Sequence, residues 1–470
     1  MWNFLFRHRT KKRKKFKFKI HPRLIIVDIQ NCNIKVVKFG GSSLADAEHF
    51  KMVADIIHAD PARCYVVPSA PGKRFSADTK VTDMLYECYN VASSGGDIEN
   101  VFGKVCERYN LIIEGLGIDY DLSDEFNHIK WAIMHHAGRD YAASRGEYLN
   151  GLVLAKYLGF DFIDPARFVR FFDNGVFDSE TTNNLLAEEM KRHRTGVIPG
   201  FYGSMPNGTI RTFSRGGSDI TGSVVARAVY ADLYENWTDV SGFLMADPRI
   251  VENPRGIKYI TYRELRELSY MGAGVLHEDA IFPVRFAGIP INIRNTNKPE
   301  DEGTMIVPHT DYYDTESIIT GIAGKKGFTI INIEKAMMNA EKGFGRKVLE
   351  VIEHENLSFE HLPSGIDTMC VILSTSEIEN SRERIINRIC NTVEPDAVTT
   401  EDGLALIAVV GRAMVKSKGT AVRVFKAAAN AGINIRMIDQ GSSELNIIIG
   451  VDEKDFEKAM QAIYAEFVRW

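Results

Sequence analysis

The chain has 470 residues, 45% of them apolar and 25% charged, with 57 Lys and Arg against 62 Asp and Glu for a net charge of −5. Such a length exceeds one ordinary core and implies on the order of two to four domains, in a composition typical of soluble globular proteins. Ten Lys and Arg and no acid fall in residues 1–23, which leaves −15 for residues 24–470, and so acidic a body argues against nucleic acid as the main partner.

The basic arm, residues 1–33, has no apolar run long enough for a signal peptide or a membrane span and is expected to be a disordered, dispensable extension. Six cysteines lie scattered at 32, 64, 88, 106, 370 and 390 without CxxC or zinc spacing, which points to a reducing cytoplasm. His135 and His136 are adjacent on a helical pattern and cannot share a face, so no protein-bound metal is expected.

The first strong pattern is "IKVVKFGGSSL", a β-branched strand, a Gly40-Gly41 bend with Ser42 or Ser43 placed to cap, and then a helix. Glycines and helix N–H groups favour an anion, which Lys38 would face. The lysine precedes the glycines, unlike the usual phosphate loop. From Ile34 to about Ile306 short apolar runs ("CYVVPSA", "GFDFID", "TGVIPGFYG", "VYADLYENWTDVSG", "IPINIRNTN") alternate with helical patterns, which predicts a mainly parallel sheet covered on both faces, with ligands at the carboxyl ends of its strands. Residues 78–160 read as a helical insertion or lid over that edge.

Polar residues gather where such a site would lie. "SAPGKRFSADTKVTDML" offers Ser69 in a turn and Thr82 at a helix start, and "SRGEYLNGLVLAKYLG" sets Glu147 in the first turn of an amphipathic helix, where the dipole favours it. "TFSRGGSDITGSVVARAVY" crowds Arg215, two glycines, Ser218 and Asp219 at a helix start, more than capping requires, and Arg215 suits a carboxylate. "ENWTDVSGFLMADPR" puts Thr238 and Asp239 at a strand end and Arg249 after a turn, in reach of a nucleotide.

After "TMIVPHTDYYDTES" the chain repeats itself: Phe328–Leu373 aligns with Leu404–Ile449 at a constant step of 76 residues without a gap, pairing Met338 with Met414 and Gly343 with Gly419. Each copy reads strand, glycine turn, helix, strand, strand, helix, with "LSFEHL" as a strand of the first. The second copy lacks a final strand, for which Ile318–Ile322 is a donor, so the two modules would be interleaved.

Taken together, "VVKFGGSSLAD", "SAPGK…KVTDML", "RGE", "FSRGGSDITGSVVA", "ENWTDVSG…ADPRIV", "YRELRELSYMGAGVLHEDAIFPV" and "GIPINIRNTN" resemble the aspartate kinases of the amino acid kinase family, and the duplicated tail is similar to their tandem ACT modules. The resemblance implies an α/β/α sandwich at 34–306, a linker and donated strand at 307–327, and two interleaved βαββαβ ACT modules at 328–402 and 403–470. It implies ATP-dependent phosphorylation of the L-aspartate side chain to 4-phospho-L-aspartate, opening the route to lysine, threonine and methionine, in a cytoplasmic homodimer or dimer of dimers, with no membrane or nucleic acid partner. Lys38 would stabilise the γ-phosphoryl with Gly40, Gly41 and Ser42, and Asp219 would orient Lys38. Arg215 would hold the α-carboxylate and Glu147 the ammonium of aspartate. Ser69, Thr82 and Ser218 would bound the reacting carboxylate, and Thr238, Asp239 and Arg249 the nucleotide. Mg²⁺ would arrive with ATP. Feedback inhibition by lysine, threonine or both would act through Met338, Gly343, Phe344, Ser358 and Glu360, the last replacing an aspartate common in lysine-sensitive relatives. Many aspartate kinases carry a lysine where this chain has Gly274, which shifts phosphate charge to Arg249. The alternative is a catalytically weak relative that serves as an amino acid sensor.

Overall fold

The computed structural model describes residues 33–214, 216–273, 278–310 and 318–468. The basic arm, Arg215 and Gly274 lie outside the described residues. The described part opens with strands β1 Lys35–Phe39, β2 Arg63–Pro68, β3 Asp161–Phe162, β4 Gly196–Val197, β5 Tyr202–Ser204, β6 Ile210–Thr212, β7 Leu233–Thr238, β8 Tyr259–Thr261, β9 Ile291–Asn295 and β10 Thr304–Val307. Eight of them form one sheet in the order β3-β4-β2-β1-β7-β9-β10-β8. Every neighbouring pair is parallel except β9 with β10. The hairpin β5–β6 stands apart.

Alternation along the central strand assigns its side chains to two layers. Val37 and Phe39 join the apolar cluster under helices Ala47–His58, Val81–Ser93, Glu99–Leu116, Ser123–Met134 and Arg139–Leu158. Val36 joins the opposite cluster with Ile220, Val224 and Val225 of helix Gly217–Ala228, and Lys38, two residues on, shares that face. Residues 78–160 are therefore no lid. Their helices bury Leu85, Tyr109, Ile129 and Leu149 and form a covering layer of the sandwich. Because β1 pairs with β2 on one side and β7 on the other, the chain order reverses at β1 and the loop after it opens into the crevice where ligands bind in such sheets.

The cap assignment also differs. Asp46, and neither Ser42 nor Ser43, accepts the His49 N–H and starts helix Ala47–His58. Ser43 is buried, its hydroxyl 2.7 Å from that of Thr296.

A second, wholly antiparallel sheet follows, built from β11 Gly321–Glu334, β12 Thr368–Ser374, β13 Ala397–Val410, β14 Met437–Asp439 and β15 Asn446–Asp452 in the order β12-β11-β13-β15-β14. The two 14-residue strands each serve both modules: Gly321–Lys325 pairs with Leu406–Val410, and Ile330–Glu334 with Ala397–Glu401. The donated strand thus begins a few residues later than Ile318. "LSFEHL" makes only the isolated bridge His361↔Ile372, since Pro363, next along, has no N–H to extend a ladder. The repeat is visible in the backbone, because Gly343 and Gly419 start the equivalent helices Phe344–His354 and Thr420–Asn430 with φ of 83° and 85°. The second module shares one continuous apolar cluster with the eight-stranded sheet, through Ile322, Leu406 and Ile463, while the first keeps its own around Val348, Val371 and Ile385.

Candidate active site

The register of β1 against β7 sets Lys38 opposite Asn236, and both side chains face the start of helix Gly217–Ala228. There the Lys38 ammonium, 10% exposed, lies 2.6 Å from Asp219 Oδ1. Asn236 Nδ2 donates to the same Asp219 oxygen at 2.9 Å, and Lys38 Nζ donates to Asn236 Oδ1 at 3.4 Å. No side chain caps this helix: its N-cap is Gly216 at φ 58°, and Ser218 and Asp219 sit inside it. Its first N–H groups are therefore left for an anion, and Asp219 is left for the lysine. Sequence reasoning missed Asn236, although an amide next to Glu235 within a strand between Tyr234 and Trp237 is a readable signal.

The glycine bend is shaped by close approach. A Cβ at Gly41 would lie 2.7 Å from Ala70 O, and one at Gly72 would lie 2.6 Å from the Gly41 carbonyl carbon. The Gly72 N–H donates to Gly41 O at 2.8 Å and the Ser69 N–H to Phe39 O at 3.1 Å, so the two turns are stacked. At Gly40 a Cβ would stand 3.7 Å from Lys38 Nζ, so the missing side chain keeps room beside the ammonium. Ser42 is exposed and Ser69 half-buried. Asn150 Nδ2 fixes the Ser69 carbonyl at 2.6 Å. Thr82 is half-buried one residue inside helix Val81–Ser93, whose N-cap is Lys80.

Glu147 corrects the sequence reading most. It does not stand in a first turn, because its helix starts at Arg139, and that helix is buried around its circumference instead of being amphipathic. Gly146 allows the approach, since a Cβ there would meet that of Ala70 at 2.8 Å. The Glu147 carboxyl is 5% exposed, and Oε2 has no hydrogen-bond partner. Burial pushes its pKa up to about 8, with the Ala70 N–H offsetting part of the rise.

Beside Ser218 the chain turns at Phe201, whose φ of 80° is rare for a non-glycine residue. Its N–H donates to Thr221 Oγ1 at 3.1 Å, and a Cβ on Gly200 would collide with Ser218 at 2.5 Å. That strained turn has no signature in single-residue propensities.

Asp239 and Arg249 line a cleft of about 540 Å³ whose far wall is Ala323, Gly324 and Met460 of the second sheet's module. Thr238, half-buried at the end of β7, donates to Asp239 at 3.1 Å. The Arg249 guanidinium is exposed and forked onto Asp247 at 2.6–3.1 Å, and that pairing holds the Asp247 carboxyl below its usual range. Of the residues expected to bind an effector, Met338 and Phe344 are buried in the first module's core, Gly343 bends the chain before its helix, Ser358 is exposed, and Glu360 accepts the Tyr270 hydroxyl at 2.5 Å. Among the described residues no cluster of His, Cys, Asp and Glu could hold a metal ion, and no helix is long and apolar enough to cross a membrane.

The model of the Amino acid kinase family matches residues 33–295, and that of the ACT domain residues 407–467. Aspartokinase 3 of Bacillus subtilis is 42% identical over 450 residues, covering 92% of this chain and 98% of the relative. The chain belongs to the aspartokinases of the amino acid kinase family. In agreement, the crystal structure of aspartate kinase from Clostridium acetobutylicum, described as an allosteric enzyme, superposes with a TM-score of 0.86 at 52% identity over 92% of this chain and 100% of that one. Escherichia coli aspartokinase III, solved with aspartate and ADP, shares the fold at a TM-score of 0.70 and 24% identity, over 92% of this chain and 99% of that one.

Proposed function

We infer that the chain transfers the γ-phosphoryl of ATP to the side-chain carboxylate of L-aspartate, the first step towards lysine, threonine and methionine, under feedback control through its ACT modules. The observation that carries this reading is a buried cation together with a buried acid, one of whose oxygens has no protein partner. Lys38 stands at the carboxyl end of the central strand, and Glu147 Oε2, without a protein partner, fits an ammonium group. On this reading an amino acid brings its own ammonium to Glu147 and a phosphate lands on Lys38, and holding the two in line would be most of what phosphoryl transfer needs.

In this reading Lys38 neutralises charge growing on the transferring group, while Asp219 and Asn236 hold its ammonium in place before the nucleotide arrives. The uncapped N-terminus of helix Gly217–Ala228 and the Gly40–Ser42 turn add N–H donors. Arg215, next to Gly216 in the chain, takes the α-carboxylate, and Ser69, Thr82 and Ser218 surround the acceptor carboxylate. Asp239 and Arg249 hold the nucleotide in the cleft they border, with Thr238 at the strand end beside Asp239. Mg²⁺ bound by the phosphates and water would supply further charge neutralisation.

The regulatory reading rests on contact. The nucleotide strip is tied to the ACT sheet by the Ile322 N–H donating to Met245 O at 2.7 Å and by Gln461 Nε2 donating to Ile250 O at 2.8 Å. An amino acid effector held by the first module near Met338, Gly343, Phe344, Ser358 and Glu360 can then act on the catalytic half through Tyr270. Trapping the acyl phosphate with hydroxylamine tests the substrate: hydroxamate formed with Mg-ATP and aspartate is expected, and product from glutamate alone would reject the assignment.

A further inference from the structure

Helix Glu99–Leu116 lies in the outer helical layer, and its inward face is apolar except at one position. Arg108, between Val105, Tyr109 and Ile112, is only 2% exposed. Burying a guanidinium costs far more than burying a leucine unless each donor finds an acceptor. Here the acceptors come from three separate segments. Nη1 donates to Gly72 O at 3.1 Å and Ala45 O at 3.4 Å, while Nη2 donates to Asp78 Oδ2 at 2.7 Å and Thr79 O at 3.4 Å. Asp78 is pinned from its other side by Arg74, whose N–H and Nε reach Oδ2 at 2.9 Å each and whose Nη2 reaches Oδ1 at 3.1 Å. The Arg74 hydrogen bonds, with help from the Arg108 charge, hold this carboxylate ionised well below its ordinary range.

We propose that Arg108 is a positioning residue for phosphoryl transfer: one buried guanidinium fixes the spacing of the three segments that carry Gly41 and Ser42, Ser69, and Thr82. Ala45 ends the glycine turn after β1, Gly72 ends the turn that begins at Ser69, and Thr79 leads into helix Val81–Ser93. The Gly72 N–H already ties two of these segments through Gly41 O, and Arg108 adds bonds from helix Glu99–Leu116 to all three. It touches neither substrate and acts through the backbone. The inference rests on the phosphotransfer reading of the site, since the three segments matter together only if they enclose one transferring group.

The test is steady-state kinetics of the full-length chain with Mg-ATP and aspartate, beside melting curves for each protein. Arg108→Met keeps the packing and removes the donors. A 1 Å misplacement of reacting groups can cost about 10²-fold, so kcat is expected to fall about 100-fold while either KM changes less than about fivefold. Arg108→Lys keeps the charge opposite Asp78 but cannot reach all three carbonyls, and a loss of about tenfold is expected. Should Arg108→Met fail to fold, Arg108→Lys and Asp78→Asn are read in its place. Arg74→Met, altering the exposed partner, should stay within about twofold of the parent. A merely structural Arg108 would lower the melting temperature and leave kcat of the folded enzyme unchanged. A folded Arg108 variant within twofold of the parent kcat therefore overturns the clamp. A parent chain with no turnover on aspartate overturns instead the reading on which it rests.

Discussion

Glu147→Gln gives the sharpest test of the site's electrostatics. In the ligand-free chain the Glu147 carboxyl titrates at about 8 instead of its ordinary 4.5 because burial removes water from the charged form. Between those two values the folded protein keeps a proton that the unfolded chain has lost, so this carboxyl's contribution to stability is greatest near and below pH 4.5 and falls as pH rises to about 8. At about 1.36 kcal/mol per pH unit the loss is on the order of 5 kcal/mol across that window. The amide in Glu147→Gln has no proton to hold. The difference in unfolding free energy between the two proteins, from denaturant titrations at pH 5 to 9, should therefore grow in favour of the variant as pH rises. Aspartate binding should reverse the logic, because the substrate ammonium needs the carboxylate. At pH 7 about nine-tenths of free sites carry the proton, so calorimetry in buffers of different ionisation enthalpy should register close to one proton released per aspartate bound. The variant should release none from this site, and its aspartate KM should rise about 10–100-fold, the worth of a charge-assisted hydrogen bond. A pH-independent stability difference together with binding that releases no proton would refute the argument.

Lys38→Met should lower kcat by about 10²–10³ with little change in aspartate KM, as expected for a group that stabilises charge only as the phosphoryl moves; an equal rise in KM with kcat intact would assign it to ground-state binding. Gly41→Ala should destabilise the chain and slow turnover, since its Cβ would press to 2.7 Å on Ala70 O; a parent-like melting temperature and rate would contradict the stacked turns. Tyr270→Phe removes the hydroxyl that Glu360 accepts, so half-inhibition by lysine or threonine should shift several-fold while uninhibited kcat stays put, and identical titrations would break the proposed link. At the domain junction, burial raises the Glu264 carboxyl, but the Arg412 charge with the Thr261 and Thr320 hydroxyls prevails and holds it below 4.5. Its stabilisation is thus complete above about pH 4.5 and lost on further acidification. Glu264→Ala removes the acceptor shared by the Thr261 and Thr320 hydroxyls and by Arg412 and should lower the melting temperature at neutral pH, and an unchanged one would count against this.

Local pattern alone determined much of this protein. The β-branched run ending in Lys38 had to be a strand, the apolar and helical segments had to alternate into a covered parallel sheet, and the 76-residue repeat had to give two like modules, because periodicity of two or of 3.6 is written residue by residue. It was equally clear that Gly343 and Gly419 sit at bends, where a left-handed φ suits glycine best. The tertiary structure decided the rest. Whether residues 78–160 covered a face or closed a lid depended on which sheet residues their apolar stripes would meet. The depth of Glu147 depended on where its helix began and on Gly146 fitting against Ala70. Asn236 and Arg108 matter only because a strand register and a helix packing bring them to partners far away in sequence. Hydrophobic patterning is local and is repeated many times over, so it survives reading in one dimension. A hydrogen bond between residues tens to hundreds of positions apart exists only once the layers have closed.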